Sequence, residues 1–290
     1  MRWATYASVS VASVLIFGKF YAWMVTDSVS LLSTLIDSVL DAAASLINLL
    51  AVHHALQPAD REHRFGHGKA EALAGLAQSA FITGSAVFLL IEAVQRLLNP
   101  KAITGTEAGY FVMGVSIVLT IALVVFQRFV IKRSGSLAIS ADSLHYESDL
   151  LINASVILSL FLASHFNWPL ADPLFAIAIA AYIIRTAWQI GDGAFQILMD
   201  RELPDEDRLK IRSIVMAQPG VLGMHDLRTR SSGTQAFIQL HLELDGELKL
   251  KDAHIISDRV ELEVANAFPN AEVIVHEDPD GVDESQVTFR

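Results

Sequence analysis

Two pairs of ionisable residues, Asp37/Asp41 and His145/Asp149, sit inside otherwise apolar stretches, and their four-residue spacing puts both members of each pair on one helix face. Asp37 lies in the run from Leu31 to Leu50 and His145 in the run from Leu137 to Leu162. Charge inside such runs is expensive and persists where an ion or proton pathway needs it. Two antiparallel helices with one two-residue face each give four ligands, the number a tetrahedral Zn²⁺ takes from imidazole nitrogen and carboxylate oxygen. Three carboxylates and one imidazole suit zinc, cadmium or ferrous iron better than cuprous ion, which prefers sulfur. The chain has no cysteine, which removes thiolate sites, disulfides and thiol redox chemistry. The competing reading is polar glue between helices, or charges paired with a basic residue. Lys19 and Arg185 are the only basic candidates near that depth, and each lies within a few residues of a span end, where it can snorkel.

The elements that must position these residues are membrane spans. Of the 290 residues, 52% are hydrophobic and only 18% charged, with a mean hydropathy of +0.42. That leaves room for roughly six spans of about twenty residues and one small domain. Apolar stretches fall near Tyr6–Val25, Leu31–Leu56, Leu73–Leu98, Ala108–Ile131, Leu137–Leu162 and Leu170–Ile190. Pro58, Asn99-Pro100, Ser134-Gly135 and Asn167-Trp168-Pro169 break them. In lipid every backbone polar group must be satisfied internally, so these stretches are expected to be helices. The N-terminus runs directly into the first stretch without a small-residue cleavage site and reads as a retained span. Arg61, Arg64 and Lys69 lie in the 2–3 connection and Lys132 and Arg133 in the 4–5 connection, whereas the 3–4 connection has only Lys101. Both termini are therefore expected in the cytoplasm. Counted at about 1.5 Å per residue from the outer end, Asp37 and Asp41 lie roughly 14–20 Å deep, and His145 and Asp149 reach a similar level from the inner end.

After about Asp200 the apolar runs stop, giving an expected division into a membrane domain over 1–199 and a water-soluble α+β domain over 200–290. Pro204 followed by Asp205, Glu206 and Asp207 opens a helix running to about Ala217. Val221–Arg230 and Thr234–Leu244 flank Ser231-Ser232-Gly233 and read as a hairpin. A helix from Lys251 to Phe268 and a strand at Glu272–His276 complete an α-β-β-α-β layer. The formal charge of −11, concentrated late in the chain, argues against nucleic-acid binding. No HExxH motif occurs, so an intramembrane metalloprotease lacks its general base. A metal sensor that binds without transporting stays open beside a transporter.

Two further clusters are visible. Asp60, His63 and His67 fall within eight residues of the 2–3 connection and can close around one metal, although a solvated membrane-flanking loop is an equal reading of the spacing. His53 and His54, at the preceding helix end, read as interfacial. In the soluble domain His225, His241, His254, His276 and Asp278 are spread over strands and helix; spacing alone does not bring them together.

LIDSVLD at Leu35–Asp41, FGHGKAE at Phe65–Glu71, ADSLHYESD at Ala141–Asp149, HDLRTR at His225–Arg230, QLHLELD at Gln239–Asp245 and VIVHEDP at Val273–Pro279 occur in the order found in the cation diffusion facilitator family. The chain resembles that family over nearly its whole length, most closely its bacterial zinc and ferrous-iron exporters. The resemblance implies a homodimeric divalent-cation/proton antiporter of the bacterial inner membrane, with six helices per protomer and a cytoplasmic domain of metallochaperone-like fold. By the same resemblance Asp37, Asp41, His145 and Asp149 match the transport site and Asp60, His63 and His67 a loop site. His225, His241, His254, His276 and Asp278 resemble a binuclear zinc site near the dimer contact, with Glu277 where glutamine is expected. Lys69 and Asp200 resemble an interlocking charge pair at the dimer hinge. Charge arithmetic then suggests a mechanism: three carboxylates around a 2+ ion leave −1, whereas the empty site at −3 in low dielectric must recruit protons. Metal and H⁺ are expected to compete, with His145 the preferred exchanging group.

Overall fold

Six long helices come first in the chain: α1 (Arg2–Thr26), α2 (Val29–Ala55), α3 (Lys69–Leu98), α4 (Glu107–Ser134), α5 (Leu137–Phe166) and α6 (Ala171–Leu198). A computed structural model of the chain describes residues 1–26, 29–98, 107–166, 170–233 and 235–281. Lys101 and the breakers Asn99-Pro100 and Asn167-Trp168-Pro169 lie outside the described residues. Among the described residues, five helices are long and apolar enough by composition to cross a membrane. The remaining one, α5, has 30 residues but carries Asp142, Glu147 and Asp149 in its first half. The sharpest break is between α4 and α5. Gly135 takes a positive φ of 64° and its N–H bonds the Ile131 carbonyl at 2.8 Å, the left-handed helix stop that glycine favours. Ser136 Oγ then accepts from Ile139 N–H at 3.2 Å and caps α5.

The helices bury small residues against one another and turn large ones outward. Ala4, Ala12, Ala72, Ala86, Ala138 and Ala187 are buried, whereas Phe17, Phe88 and Trp188 are exposed. Lipid offers no hydrophobic drive between helices, so close backbone approach and polar contacts hold them together. At Gly191 of α6 an added Cβ would lie 2.7 Å from Ser79 Oγ of α3, so a larger residue there would have to displace that hydroxyl. Asn48 of α2 donates to Gln78 Oε1 of α3 and, at 3.3 Å, to the Ala138 carbonyl of α5.

Two compact units divide at 195/196. In the second, α7 (Asp205–Met216), β1 (Gly223–Ser231), β2 (Ala236–Leu244), α8 (Leu250–Ala267) and β3 (Ala271–Pro279) form a three-stranded sheet of order β1-β2-β3 with two helices. The β1–β2 pair is antiparallel and β2–β3 parallel, the latter requiring the α8 crossover. Ile211 and Val215 of α7 and Val260 and Val264 of α8 pack on Ile238, Leu240, Leu242, Leu244 and Val273 of the sheet. The last strand runs to Pro279, beyond the expected His276, and so carries Asp278 into the sheet. On β1 the register shifts between His225 and Arg228, where Asp226 adopts a φ of 45°.

Candidate metal centres

On α2 and α5, Asp41, His145 and Asp149 each offer a ligand atom, all within 4.8 Å of one another. His145 Nε2 lies 2.8 Å from Asp41 Oδ1, an arrangement the i,i+4 spacing of His145 and Asp149 makes possible on one face of α5. Asp37 belongs to α2, four residues before Asp41; its side chain lies outside the described residues. Asp41 and Asp149 line a cavity of about 190 Å³ with Leu15, Lys19, Thr120 and Asn153 among its other walls.

Lys19 does not snorkel away from this region. Its Nζ donates to Ser38 Oγ at 2.6 Å, and it lines the same cavity as both carboxylates. Nearness to a span end does not predict this, because helix rotation and not depth decides which way a side chain points.

A further intramembrane carboxylate, Asp142, is not distinguished by the pair spacing, and its partners emerge only from the structure. It is 1% exposed. Ser8 Oγ of α1 donates to its Oδ2 at 2.6 Å, Gln127 Nε2 of α4 to the same oxygen at 2.7 Å, and Ser45 Oγ of α2 to Oδ1 at 3.1 Å. Ser45 also meets the Tyr146 hydroxyl at 3.0 Å. Four helices thus converge on one carboxylate. Ser8 precedes the cavity residues of α1, Gln127 follows those of α4, and Ser45 and Asp142 lie one turn beyond Asp41 and His145 toward the α2–α3 connection. Along the helix axes the network and the cavity therefore extend to opposite sides of the cluster and meet at Tyr146, which lines the cavity. The rule that an ionisable residue within a span signals function applies equally to Asp142, three residues before His145.

In the connection between α2 and α3, Asp60, His63 and His67 form a second group whose ligand atoms lie within 4.8 Å. Asp60 Oδ1 accepts from the backbone N–H of His63 at 2.6 Å and of Glu62 at 2.9 Å, a local side-chain turn. The His63 N–H bond above all holds the Asp60 carboxyl below its ordinary range. His67 Nε2 stands 3.3 Å from Asp60 Oδ2, and the His67 side chain is only 4% exposed. Its Nδ1 is buried without a hydrogen-bond partner among the described residues, which fits a set of imidazoles and a carboxylate suited to a divalent cation.

The third group is built by strand register. His225 pairs with His241 across β1–β2, and His241 with His276 across β2–β3, so three imidazoles stand in a row on the face opposite the core. His225, His241 and Asp278 bring ligand atoms within 4.8 Å. His241 Nδ1 is 2.7 Å from Asp278 Oδ2, and His276 Nε2 is 3.1 Å from Asp278 Oδ1. Asp278 is the buried member, and it joins the row because a strand returns to the same face every second residue. His254 is apart from this row: on α8, it lies 3.7 Å from Asp258 and 3.9 Å from Glu277. Glu243, absent from the expected set, reaches His225 Nδ1 at 3.0 Å. Asp226 stands 3.7 Å from His241 Nε2 but is also gripped by Arg228, at 3.0 Å through Nε and 2.8 Å through Nη2. That pairing raises the Arg228 guanidinium above its usual range.

Of the expected hinge pair, Asp200 takes a positive φ of 55° and lies 3.6 Å from Arg230 Nη1, while Lys69 opens α3 in the other unit.

Comparison with known proteins follows the same division. The family model of the cation efflux transmembrane domain matches residues 5–199, and that of the cation efflux protein cytoplasmic domain matches residues 203–280. The chain is 49% identical over 279 residues to the cation-efflux pump FieF of Klebsiella pneumoniae subsp. pneumoniae, covering 96% of this chain and 93% of that one. It is also 49% identical over 276 residues to FieF of Escherichia coli, at 95% and 92% coverage. Among solved structures, the metal-bound C-terminal domain of the CzcD transporter from Thermotoga maritima is 30% identical, covering 27% of this chain and 93% of that one with a TM-score of 0.26.

Proposed function

This chain belongs to the cation efflux family, the cation diffusion facilitators, and is a cation efflux transporter and not an enzyme; we propose that its cargo is Zn²⁺, with Fe²⁺ or Cd²⁺ as alternatives, exported in exchange for H⁺. The observation that carries this reading is the convergence of Asp41, His145 and Asp149 within 4.8 Å on two transmembrane helices, beside a cavity of about 190 Å³. In this reading Asp37, on the same face of α2, completes the four-ligand set. With the metal gone, three carboxylates in low dielectric repel one another and draw protons, so cargo and protons exclude each other at one place. His145, already in contact with Asp41, is the group proposed to exchange its proton.

In a bacterial inner membrane with both termini cytoplasmic, the cavity lies on the outer side of the cluster and the buried Asp142 network on the inner side. In this reading four helices are tied together on the inner side of the cluster. Closing the outer cavity and parting the inner network would give the opposite state of an alternating-access cycle.

The loop cluster and the histidine row are proposed as resident zinc sites. Asp60, His63 and His67 would hold one ion. His225, His241, His276 and Asp278, with His254 at the margin, would hold the zinc that stabilises a homodimer through the second domain. A bound divalent ion supplies charge neutralisation there. The chain's own part is to fix the imidazoles by strand register, and regulation follows if metal affinity differs between transport states. Lys69 and Asp200 are proposed to meet at the hinge, and their simultaneous charge reversal should restore transport lost on reversing either alone.

Proteoliposomes with an imposed pH gradient test the function directly. Zinc flux driven by the gradient is expected, abolished by Asp41→Ala and stripped of its pH dependence by His145→Ala. Zinc binding without flux would identify a sensor, and pH-independent flux would remove the antiport.

A further inference from the structure

We propose that His54 is a fourth ligand of the loop site, so that a Zn²⁺ held by Asp60, His63 and His67 also pins that loop to the last turn of α2. The inference rests on the loop being a metal site and adds a residue to it.

His54 is next to last in α2 (Val29–Ala55), and its ring centroid is 4.5 Å from that of His67. His63 lies at nearly the same distance, 4.6 Å, on the same ring. The buried His67 imidazole is therefore flanked by two others while its Nε2 faces the Asp60 carboxylate at 3.3 Å. A buried ring nitrogen left without a partner, as His67 Nδ1 is among the described residues, is costly, and a shared cation is one way to relieve that cost. Three protein ligands leave a zinc coordination position open, as in sites that exchange what they bind; a fourth closes it, as in structural sites. His54 is exposed, so it can change rotamer toward the group without disturbing a packed interior.

The consequence is mechanical. Asp41 lies on the same helix as His54, roughly 20 Å away along its axis at about 1.5 Å per residue. A closed four-ligand site makes the end of α2, and hence the helix that carries a transport ligand, move with the loop when zinc is present. A protonated histidine in a last turn also interacts favourably with the carbonyl end of its helix without any metal. His53, the adjacent residue of the same last turn, shares that property and serves as the control.

The test uses the purified full-length chain in detergent with Asp41→Ala and His241→Ala as background, so that the loop is the intact cluster. Zn²⁺ alone is titrated against a competing chelator, and X-ray absorption at the zinc edge counts coordinated imidazoles. His54→Phe keeps a ring against His67 and offers no nitrogen. It is expected to weaken zinc binding by at least about tenfold, the lower end of what loss of even an outer-shell partner causes, and to reduce the imidazole count from three to two. His53→Phe is expected to leave both readings at the parent values. Parent-like affinity in His54→Phe, or equal weakening by His53→Phe, overturns the fourth-ligand assignment alone. Zinc binding that survives His67→Ala overturns the loop site itself, and the inference with it.

Discussion

Replacing Asp142 by alanine removes the acceptor at which four helices meet, and its cost can be bounded from the geometry. Three donors reach the carboxylate, at 2.6, 2.7 and 3.1 Å. Hydrogen bonds to a charged group contribute about 1.5–3 kcal/mol each, and a simple sum would exceed what is expected here for two reasons. Every donor has a second partner: Ser8 Oγ also reaches the Ala4 carbonyl at 3.1 Å, Gln127 Nε2 reaches Ser8 Oγ at 2.9 Å, and Ser45 meets Tyr146 at 3.0 Å. In addition, a carboxylate that is 1% exposed carries a desolvation cost of several kcal/mol, which its removal relieves. The expected net destabilisation is therefore about 2–4 kcal/mol. Equilibrium unfolding in mixed micelles, followed by tryptophan fluorescence and far-ultraviolet dichroism, measures it as a lowered denaturant midpoint. A double-mutant cycle with Ser8→Ala is expected to show a coupling of about 1–2 kcal/mol, since the two residues touch. An Asp142→Ala protein within about 0.5 kcal/mol of the parent, together with additive effects in the cycle, would refute the view that this carboxylate holds α1, α2, α4 and α5 together.

Lys19→Met is expected to raise zinc affinity at the transmembrane cluster severalfold, because an ammonium lining the same cavity as Asp41 and Asp149 opposes a dication by of order 1 kcal/mol in a wet cavity; weaker binding in chelator competition would count against that repulsion. Zinc at a hundredfold excess over its dissociation constant is expected to stabilise the second unit by about 2.7 kcal/mol, read as a rise in its melting temperature in the full chain. His241→Ala, which removes the middle imidazole of the row, is expected to abolish that rise, and an undiminished rise would place the metal elsewhere. At the loop, the His63 and Glu62 backbone bonds hold the Asp60 carboxyl below the usual aspartate value. Its contribution to the turn is therefore complete above that usual value and lost only as pH falls further, through the depressed folded one. Asp60→Asn is accordingly expected to lower loop zinc affinity by the same factor at every pH above the usual aspartate value; a ratio of parent to variant affinity that changes with pH there would assign Asp60 a titration in that range.

What can be read from the sequence follows from which interactions are local. The approach of Asp41, His145 and Asp149 is legible because i,i+4 spacing fixes a helix face and because charge inside an apolar run is too costly to persist without a role. The loop trio is legible because its members lie within eight residues. The histidine row is not, since His225, His241 and His276 meet only through pairing of strands whose register is set by the buried Ile238, Leu240 and Leu242 on the other face. A one-residue slip would carry His241 into that core and break the row, so the hydrophobic pattern of β2 determines how the three imidazoles are placed without containing any of them in the pattern itself. Side-chain direction accounts for the rest. Depth along α1 suggests that Lys19 leaves the membrane, but helix rotation turns it onto Ser38 and the cavity. Asp142 stands in the same segment as His145 and Asp149, yet its partners Ser8, Ser45 and Gln127 come from three other helices. None of those residues is unusual alone, because serine and glutamine are tolerated in spans where they bond across helices. Their shared acceptor becomes visible only when the bundle is assembled, where it ties α1, α2 and α4 to α5 one turn from the contact of Asp41 with His145.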